Sequence, residues 1–205
     1  MTEHLIRDLD ALQALYGEVN DVSRLKEIDY LHPHYAALIA ASPFLVLATA
    51  GPDGLDASPR GDPAGFIEIA DDHTLLMADR RGNNRIDSLR NIVANPQVAL
   101  LFLVQGIGET LRINGRAEIS VEPALIERFT HAGKPPRSVL VIHVERVFFQ
   151  CSRAVLRAEL WNPERHVPRA SLPSTGQMLA AVTKDRIDAQ TYDRELPPRL
   201  ATTLY

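Results

Sequence analysis

The sequence predicts a mainly β fold with peripheral helices: six or seven antiparallel strands wrapped into a barrel. Three observations point there. Apolar runs of strand length recur between turn signals, from Phe44-Leu45-Val46-Leu47-Ala48-Thr49 to Ser138–Gln150. The runs follow one another as hairpins, and the regular strand–helix alternation of a doubly wound parallel sheet is absent.

Taken in order, Leu5, Ile6, Leu9, Leu12 and Leu15/Tyr16 fall at helical spacing over Glu3 to Tyr16, and Gly17 and Asn20 end the pattern. This stripe is expected to pack against the barrel or a second subunit. Pro33 to Ala41 reads as a second helix, opened by a proline in its first turn and stopped before Pro43. Phe44–Thr49 and Leu55–Arg60 are strands joined by Gly51-Pro52-Asp53-Gly54. Phe66–Ile69 and Thr74–Ala78 flank Asp71-Asp72-His73, a second hairpin signal.

Asn84 to Ala94 reads as an amphipathic helix with Ile86, Leu89, Ile92 and Val93 on one side and Asn95-Pro96 as its stop. Gln97–Gln105 and Thr110–Ser120 are strands about Gly106-Ile107-Gly108-Glu109. Glu122 to His131 is a helix with Pro123 in its first turn, and Ser138–Gln150 is the last long strand. Ala154 to Leu160 is a short helix or turn. The proline-rich remainder reads as an extended arm with one helix near Gly176 to Val182.

The length of 205 residues suits one domain with appendages: N-terminal helices over 1–42, the barrel over 43–161 and an arm over 162–205. A net charge of −4 argues against a general nucleic-acid or membrane-surface binder, since both need a cationic field. No segment reads as a signal peptide or a transmembrane helix, so a cytoplasmic location is expected. One cysteine, Cys151, excludes a disulfide framework within the chain, and His32 and His34 lack the further ligands a metal site needs.

The charges are unevenly made. Only Lys26, Lys134 and Lys184 are lysines among 22 basic residues, which fits either a compositional bias or a demand for planar, bidentate contacts. Two arginine clusters sit at strand ends: Ser58-Pro59-Arg60-Gly61-Asp62, and Asp79-Arg80-Arg81-Gly82-Asn83-Asn84-Arg85 running into the expected helix. Cationic loops beside a helix N-terminus suit a phosphate, because guanidinium forks, amide N–H groups and the helix dipole act together. Arg80-Arg81 also reads as a solvated turn, and Arg60 as a partner for Asp62 or Asp79.

These motifs, in their order, resemble the pyridoxamine 5'-phosphate oxidase-like FMN-binding split-barrel family. The likeness runs through Leu76-Met77-Ala78-Asp79-Arg80-Arg81-Gly82-Asn83, the strand Val98-Ala99-Leu100-Leu101-Phe102, Leu111-Arg112-Ile113-Asn114-Gly115-Arg116-Ala117 and Leu160-Trp161. It covers about Phe44 to Trp161. The resemblance implies a split barrel and a homodimer with FMN in clefts between subunits. It places Ser58 and Arg60 beside the ring or ribityl chain, Asp79 and Arg80 on the cofactor, and Asn84, Arg85 and Ser88 at the phosphate. Thr110, Arg157 and Trp161 would reach the cofactor from the second subunit. It assigns no catalytic side chain.

Where the oxidase carries a substrate-phosphate lysine, this chain reads Arg60-Gly61-Asp62-Pro63, and no Arg-Leu-His-type element follows. The implied function is therefore an FMN-dependent oxidoreductase whose substrate is a small molecule other than pyridoxamine phosphate. NAD(P)H would bind only transiently as donor, since no Gly-x-Gly-x-x-Gly occurs. A non-catalytic flavin-binding protein or sensor is the alternative, with haem (on His131 or His143) or F420 as further ligands of the same barrel.

Overall fold

The computed structural model describes residues 4–205, so Glu3 of the first expected helix lies outside it. Seven antiparallel strands form one sheet: β1 (Phe44–Gly51), β2 (Gly54–Gly61), β3 (Ile67–Asp71), β4 (Thr74–Ala78), β5 (Gln97–Leu103), β6 (Thr110–Ser120) and β7 (Val139–Gln150). Their lateral order is β2-β1-β5-β6-β7-β4-β3. Hydrogen bonds do not join β2 to β3, so the barrel is split along those two edges.

Strict alternation builds the interior. Leu45 and Leu47 on β1, Leu100 and Phe102 on β5, and Leu111 and Ile113 on β6 are each no more than 1% exposed. With Ile67, Met77, Leu140 and Ile142 they form one cluster, so the inward faces of both halves converge on a single core. The sheet must bend to allow this. β6 and β7 shift register between Asn114 and Gly115, a bulge that bends a strand too long to stay flat.

The helices are α1 (Leu9–Tyr16), α2 (Asp21–Leu25), α3 (Pro33–Ala41), α4 (Asp87–Ala94), α5 (Pro123–Arg128), α6 (Arg153–Arg157), α7 (Thr175–Thr183) and α8 (Ala189–Thr203). α3 matches its expected bounds: Pro33 opens it, His32 Nδ1 accepts from the His34 N–H, and Ile39 is fully buried beneath it. α1 does not pack on the barrel. It buries no residue, and Leu9, Leu15 and Tyr16 stand exposed.

One expected helix and the expected arm are corrected. α4 begins at Asp87 rather than Asn84, because Asn84 (φ 61°) and Ile86 (φ 53°) adopt left-handed backbone that no right-handed helix can contain. Ile86 and Val93 are exposed, and Ser88, Asn91 and Ile92 form the buried side. The arm is not extended beyond one helix. α8 continues through Pro197 and Pro198 although each lacks a backbone donor. It packs on α7 at Gly176, where an added Cβ would lie 2.2 Å from the Ala189 carbonyl oxygen. The Asp193 carboxylate accepts there from the Gly176 N–H and the Ser174 hydroxyl.

α4 lies between β4 and β5, which are three places apart in the sheet. The chain must therefore cross one end of the barrel between Asp79 and Asp87, and this crossing frames the site.

Candidate functional site

A cavity of about 980 Å³ opens where β2, the end of β4, the crossing segment and the start of α4 meet. The loop Lys134-Pro135-Pro136-Arg137 and Tyr205 complete its wall. Its size is at the upper end of the ~300–1,000 Å³ usual for cofactor clefts. Six cationic side chains line it (Arg60, Arg80, Arg81, Arg85, Lys134, Arg137) against three acids (Asp56, Asp79, Asp87). In a chain of net charge −4 this is a local excess of positive charge suited to an anion.

β2 supplies the first set. Asp56, Ser58 and Arg60 alternate along one strand and so share a face. The Arg60 Nη2 donates to Ser88 Oγ at 3.1 Å, and Ser88 Oγ donates to Asp56 Oδ2 at 2.6 Å. Ser58 Oγ donates to the same carboxylate at 2.9 Å. Asp56 is thus the hub that orients both hydroxyls and, through Ser88, Arg60. Sequence reasoning missed it, although period-2 spacing from Ser58 and Arg60 points to it. α4 is pinned to the barrel by Asn91, whose Nδ2 donates to Thr49 Oγ1 at 3.1 Å.

β4 ends at Ala78 and delivers Asp79, whose N–H donates to the Ser138 carbonyl at 2.9 Å. Burial pushes the Asp79 carboxyl above the usual carboxylate range, and the charges of Arg60 and Arg137 oppose that rise. Arg80 is largely committed to protein partners. Its Nε donates to Asp62 Oδ2 at 3.0 Å and its Nη1 to the Phe129 carbonyl at 2.8 Å. Arg80, and not Arg60, is the residue paired with Asp62.

The crossing segment carries the remainder. Asn84 Oδ1 accepts from Arg137 Nη1 at 3.1 Å, which ties the crossing to the Lys134–Arg137 loop. Arg85 precedes α4 and is 75% exposed at its side chain; its Nε donates to Asp87 Oδ2 at 2.8 Å, which holds its pKa above the ordinary value. α4 has no side chain capping its start, and Ile86, Asp87, Ser88 and Leu89 all line the cavity. Its first amides are open to a ligand.

Ser58, Arg60, Asp79, Arg80, Asn84, Arg85 and Ser88 therefore line one cavity. Thr110, Arg157 and Trp161 do not. Thr110 opens β6 opposite Leu103 and Gln150, Arg157 ends α6, and Trp161 Nε1 donates to the Ile107 carbonyl at 2.8 Å. Lys134, Arg137 and Tyr205 were absent from the sequence-derived set. The two cations framing Pro135-Pro136 were the visible signal for that loop, and nothing local marks Tyr205. His143 is exposed on β7, and the His131 ring stacks on Tyr205 at 4.3 Å.

The donors fit a phosphate monoester that carries a bulky planar group. Guanidinium groups and the uncapped first amides of α4 line one cavity, while the Ser58 and Ser88 hydroxyls are spent on Asp56.

A sequence profile of the pyridoxamine 5'-phosphate oxidase family matches residues 31–151, which is more than half of the chain. No curated protein matches. Among solved structures, HupZ of Group A Streptococcus is similar at 26% identity and a TM-score of 0.46, over 57% of this chain and 90% of that one. An FMN-binding protein from Syntrophomonas wolfei is similar at 10% identity and 0.42, over 68% and 95%. A FAD-binding protein from Mesorhizobium loti is similar at 17% identity and 0.41, over 57% and 89%. Among the described residues no helix is long and apolar enough to cross a membrane.

Proposed function

Given that this chain belongs to the pyridoxamine 5'-phosphate oxidase family, we propose that it binds FMN in the cavity between β2, β4 and α4 and acts as an oxidoreductase on a small organic molecule. One observation carries the reading: β2 and α4, joined through Arg60, Ser88 and Asp56, wall a cavity of cofactor size with an excess of cationic side chains.

FMN, when bound, supplies the hydride and electron transfer that no protein side chain provides. The residues of this chain hold and orient it. Arg85, Asn84 and the first amides of α4 bind its phosphate, since a desolvated dianion needs several charge-assisted hydrogen bonds; Ser88, whose one donor bond goes to Asp56, acts there by holding Arg60. Ser58 and Arg60 lie along the ring or ribityl chain, held in place by Asp56. Asp79 lines the same cavity, where burial raises its carboxyl pKa and the charges of Arg60 and Arg137 oppose that rise.

In this reading Thr110, Arg157 and Trp161, which do not line the cavity of their own chain, serve the site of a second copy in a homodimer. The substrate is not pyridoxamine phosphate. Where a substrate-phosphate lysine is expected, Asp62 stands just past the end of β2 with its carboxylate engaged by Arg80 and Tyr205. NAD(P)H is the proposed transient donor, and the cytoplasm the proposed location.

The test is the visible spectrum of the purified protein, followed by chromatography and mass of any released chromophore. Stoichiometric FMN that bleaches with NADH or NADPH supports the oxidoreductase. FMN that no nicotinamide reduces supports a passive flavin binder. A colourless protein that takes up no added FMN overturns the flavin reading.

A further inference from the structure

Asp62 and Tyr205 are 143 residues apart in sequence, yet the Tyr205 hydroxyl donates to Asp62 Oδ1. The other oxygen, Oδ2, accepts from Arg80 Nε at 3.0 Å. One carboxylate therefore joins a tyrosine of the arm to an arginine of the cavity wall. Around this bridge two side chains meet the half-buried ring: His131 stacks on it at 4.3 Å and the Arg80 guanidinium lies 5.7 Å from its centre, while Lys134 Nζ donates to the Tyr205 main-chain oxygen at 3.0 Å.

Arg80 itself has Nε on Asp62 and Nη1 on Phe129, which leaves Nη2 as its unassigned donor group beside the cavity. A planar guanidinium held at two of its three nitrogens can present the third in only one direction. That direction depends on Asp62, and Asp62 is held by Tyr205.

We propose that Tyr205 is a positioning residue of the ligand site: through Asp62 it aims the free edge of Arg80 at an anionic group in the cavity. The arm thereby belongs to the binding apparatus, and its docking completes the site. Two features agree with this arrangement. The Asp62 side chain is only 8% exposed, so the bridge is sheltered from competing water. Its bond to the phenol raises the Tyr205 pKa, as a donor hydrogen bond to a carboxylate must.

The ligand in this inference rests on the flavin reading; the relay does not. The experiment is a double-mutant cycle on the full chain with Tyr205→Phe, Arg80→Ala and the double variant, read as FMN affinity by fluorescence titration. Tyr205→Phe keeps the ring on His131 and Arg80 and removes only the hydroxyl. It is expected to weaken FMN by about three- to tenfold, the effect of losing much of one hydrogen bond to a charged group. In the double variant the loss should equal that of Arg80→Ala alone, because the hydroxyl has nothing left to aim.

Losses that multiply, or a Tyr205→Phe protein with unchanged affinity, overturn the relay. A residue that merely stabilised the fold would lower the unfolding midpoint and leave affinity intact. Should Arg80→Ala fail to fold, Asp62→Asn takes its place in the cycle with the same expected non-additivity. If wild type binds no FMN, the flavin reading falls. The cycle is then read with inorganic phosphate, as the shift in thermal midpoint it produces, and additivity there overturns the relay on its own.

Discussion

Arg60 on β2 and Ser88 on α4, 28 residues apart, are joined by a guanidinium-to-hydroxyl hydrogen bond of 3.1 Å. Ser88 in turn donates a hydrogen bond to Asp56 and is only 2% exposed. A hydroxyl that both accepts and donates fixes strand and helix in one register, and it does so at the wall of the cavity.

Ser88→Ala breaks both bonds and leaves Asp56 with Ser58 as its remaining side-chain donor. We expect a loss of about 1.5–3 kcal/mol in unfolding free energy, the usual scale for a hydrogen bond to a charged partner. Chemical denaturation measures it, and FMN affinity should fall in the same variant as Arg60 loosens.

Arg85 behaves oppositely. Its side chain is mostly exposed and its pair with Asp87 spans only two residues, so the fold does not depend on it. Arg85→Ala should leave the thermal midpoint unchanged and weaken FMN binding by about tenfold or more. Raising ionic strength should erode wild-type affinity more steeply than that of the variant. Unchanged affinity in the folded variant removes Arg85 from the phosphate site.

Asp79 predicts a dependence on pH. Burial raises its folded pKa above the ordinary 3.8. Below that ordinary value the group is protonated in both states and its contribution to stability is fully present. As pH rises toward the folded pKa, the unfolded chain has already released the proton that the folded one retains, so stability falls. Asp79→Asn should therefore gain on wild type across the window that opens at 3.8 and runs upward, as followed by unfolding midpoints in a pH series. The same variant should bind phosphate ligands more tightly at neutral pH, since one like charge has gone.

Gly115 sits at the bulge between β6 and β7, and an added Cβ would lie 2.1 Å from the His143 carbonyl oxygen. A backbone oxygen within a ladder cannot swing aside as a side chain does. Gly115→Ala is expected to cost about 3 kcal/mol, the upper end for overpacking, measured as a lower denaturation midpoint. A neutral substitution would show that β6 can move away from β7 at this point.

Local chemistry made most of the elements readable. Period-2 burial from Leu45 to Thr49 and from Val98 to Phe102, with turn residues between, identified strands whose bounds the structure shifts by only a residue or two. α3 was equally legible, because Pro33 and Pro43 bracket it. α4 was misread at its start since Ile86 falls at helical spacing, and spacing says nothing about a left-handed φ. α8 was hidden by Pro197 and Pro198, whose missing donors its packing on α7 outweighs.

The sequence by itself determined the strands, their hairpin order, the family and the arginine-bearing segments that meet at the cavity. Each of these depends on residues a few positions apart, where alternation, turn chemistry and motif spacing act directly. Tertiary structure alone decided how the arginines are used: Arg60 is held by Ser88 and Asp56, Arg80 is bound to Asp62 and Phe129, and Arg85 is left to solvent and Asp87. It also brought Lys134, Arg137 and Tyr205 to the same wall. Those outcomes turn on which donor finds which acceptor after distant segments close on one another, and composition and periodicity carry no information about that choice.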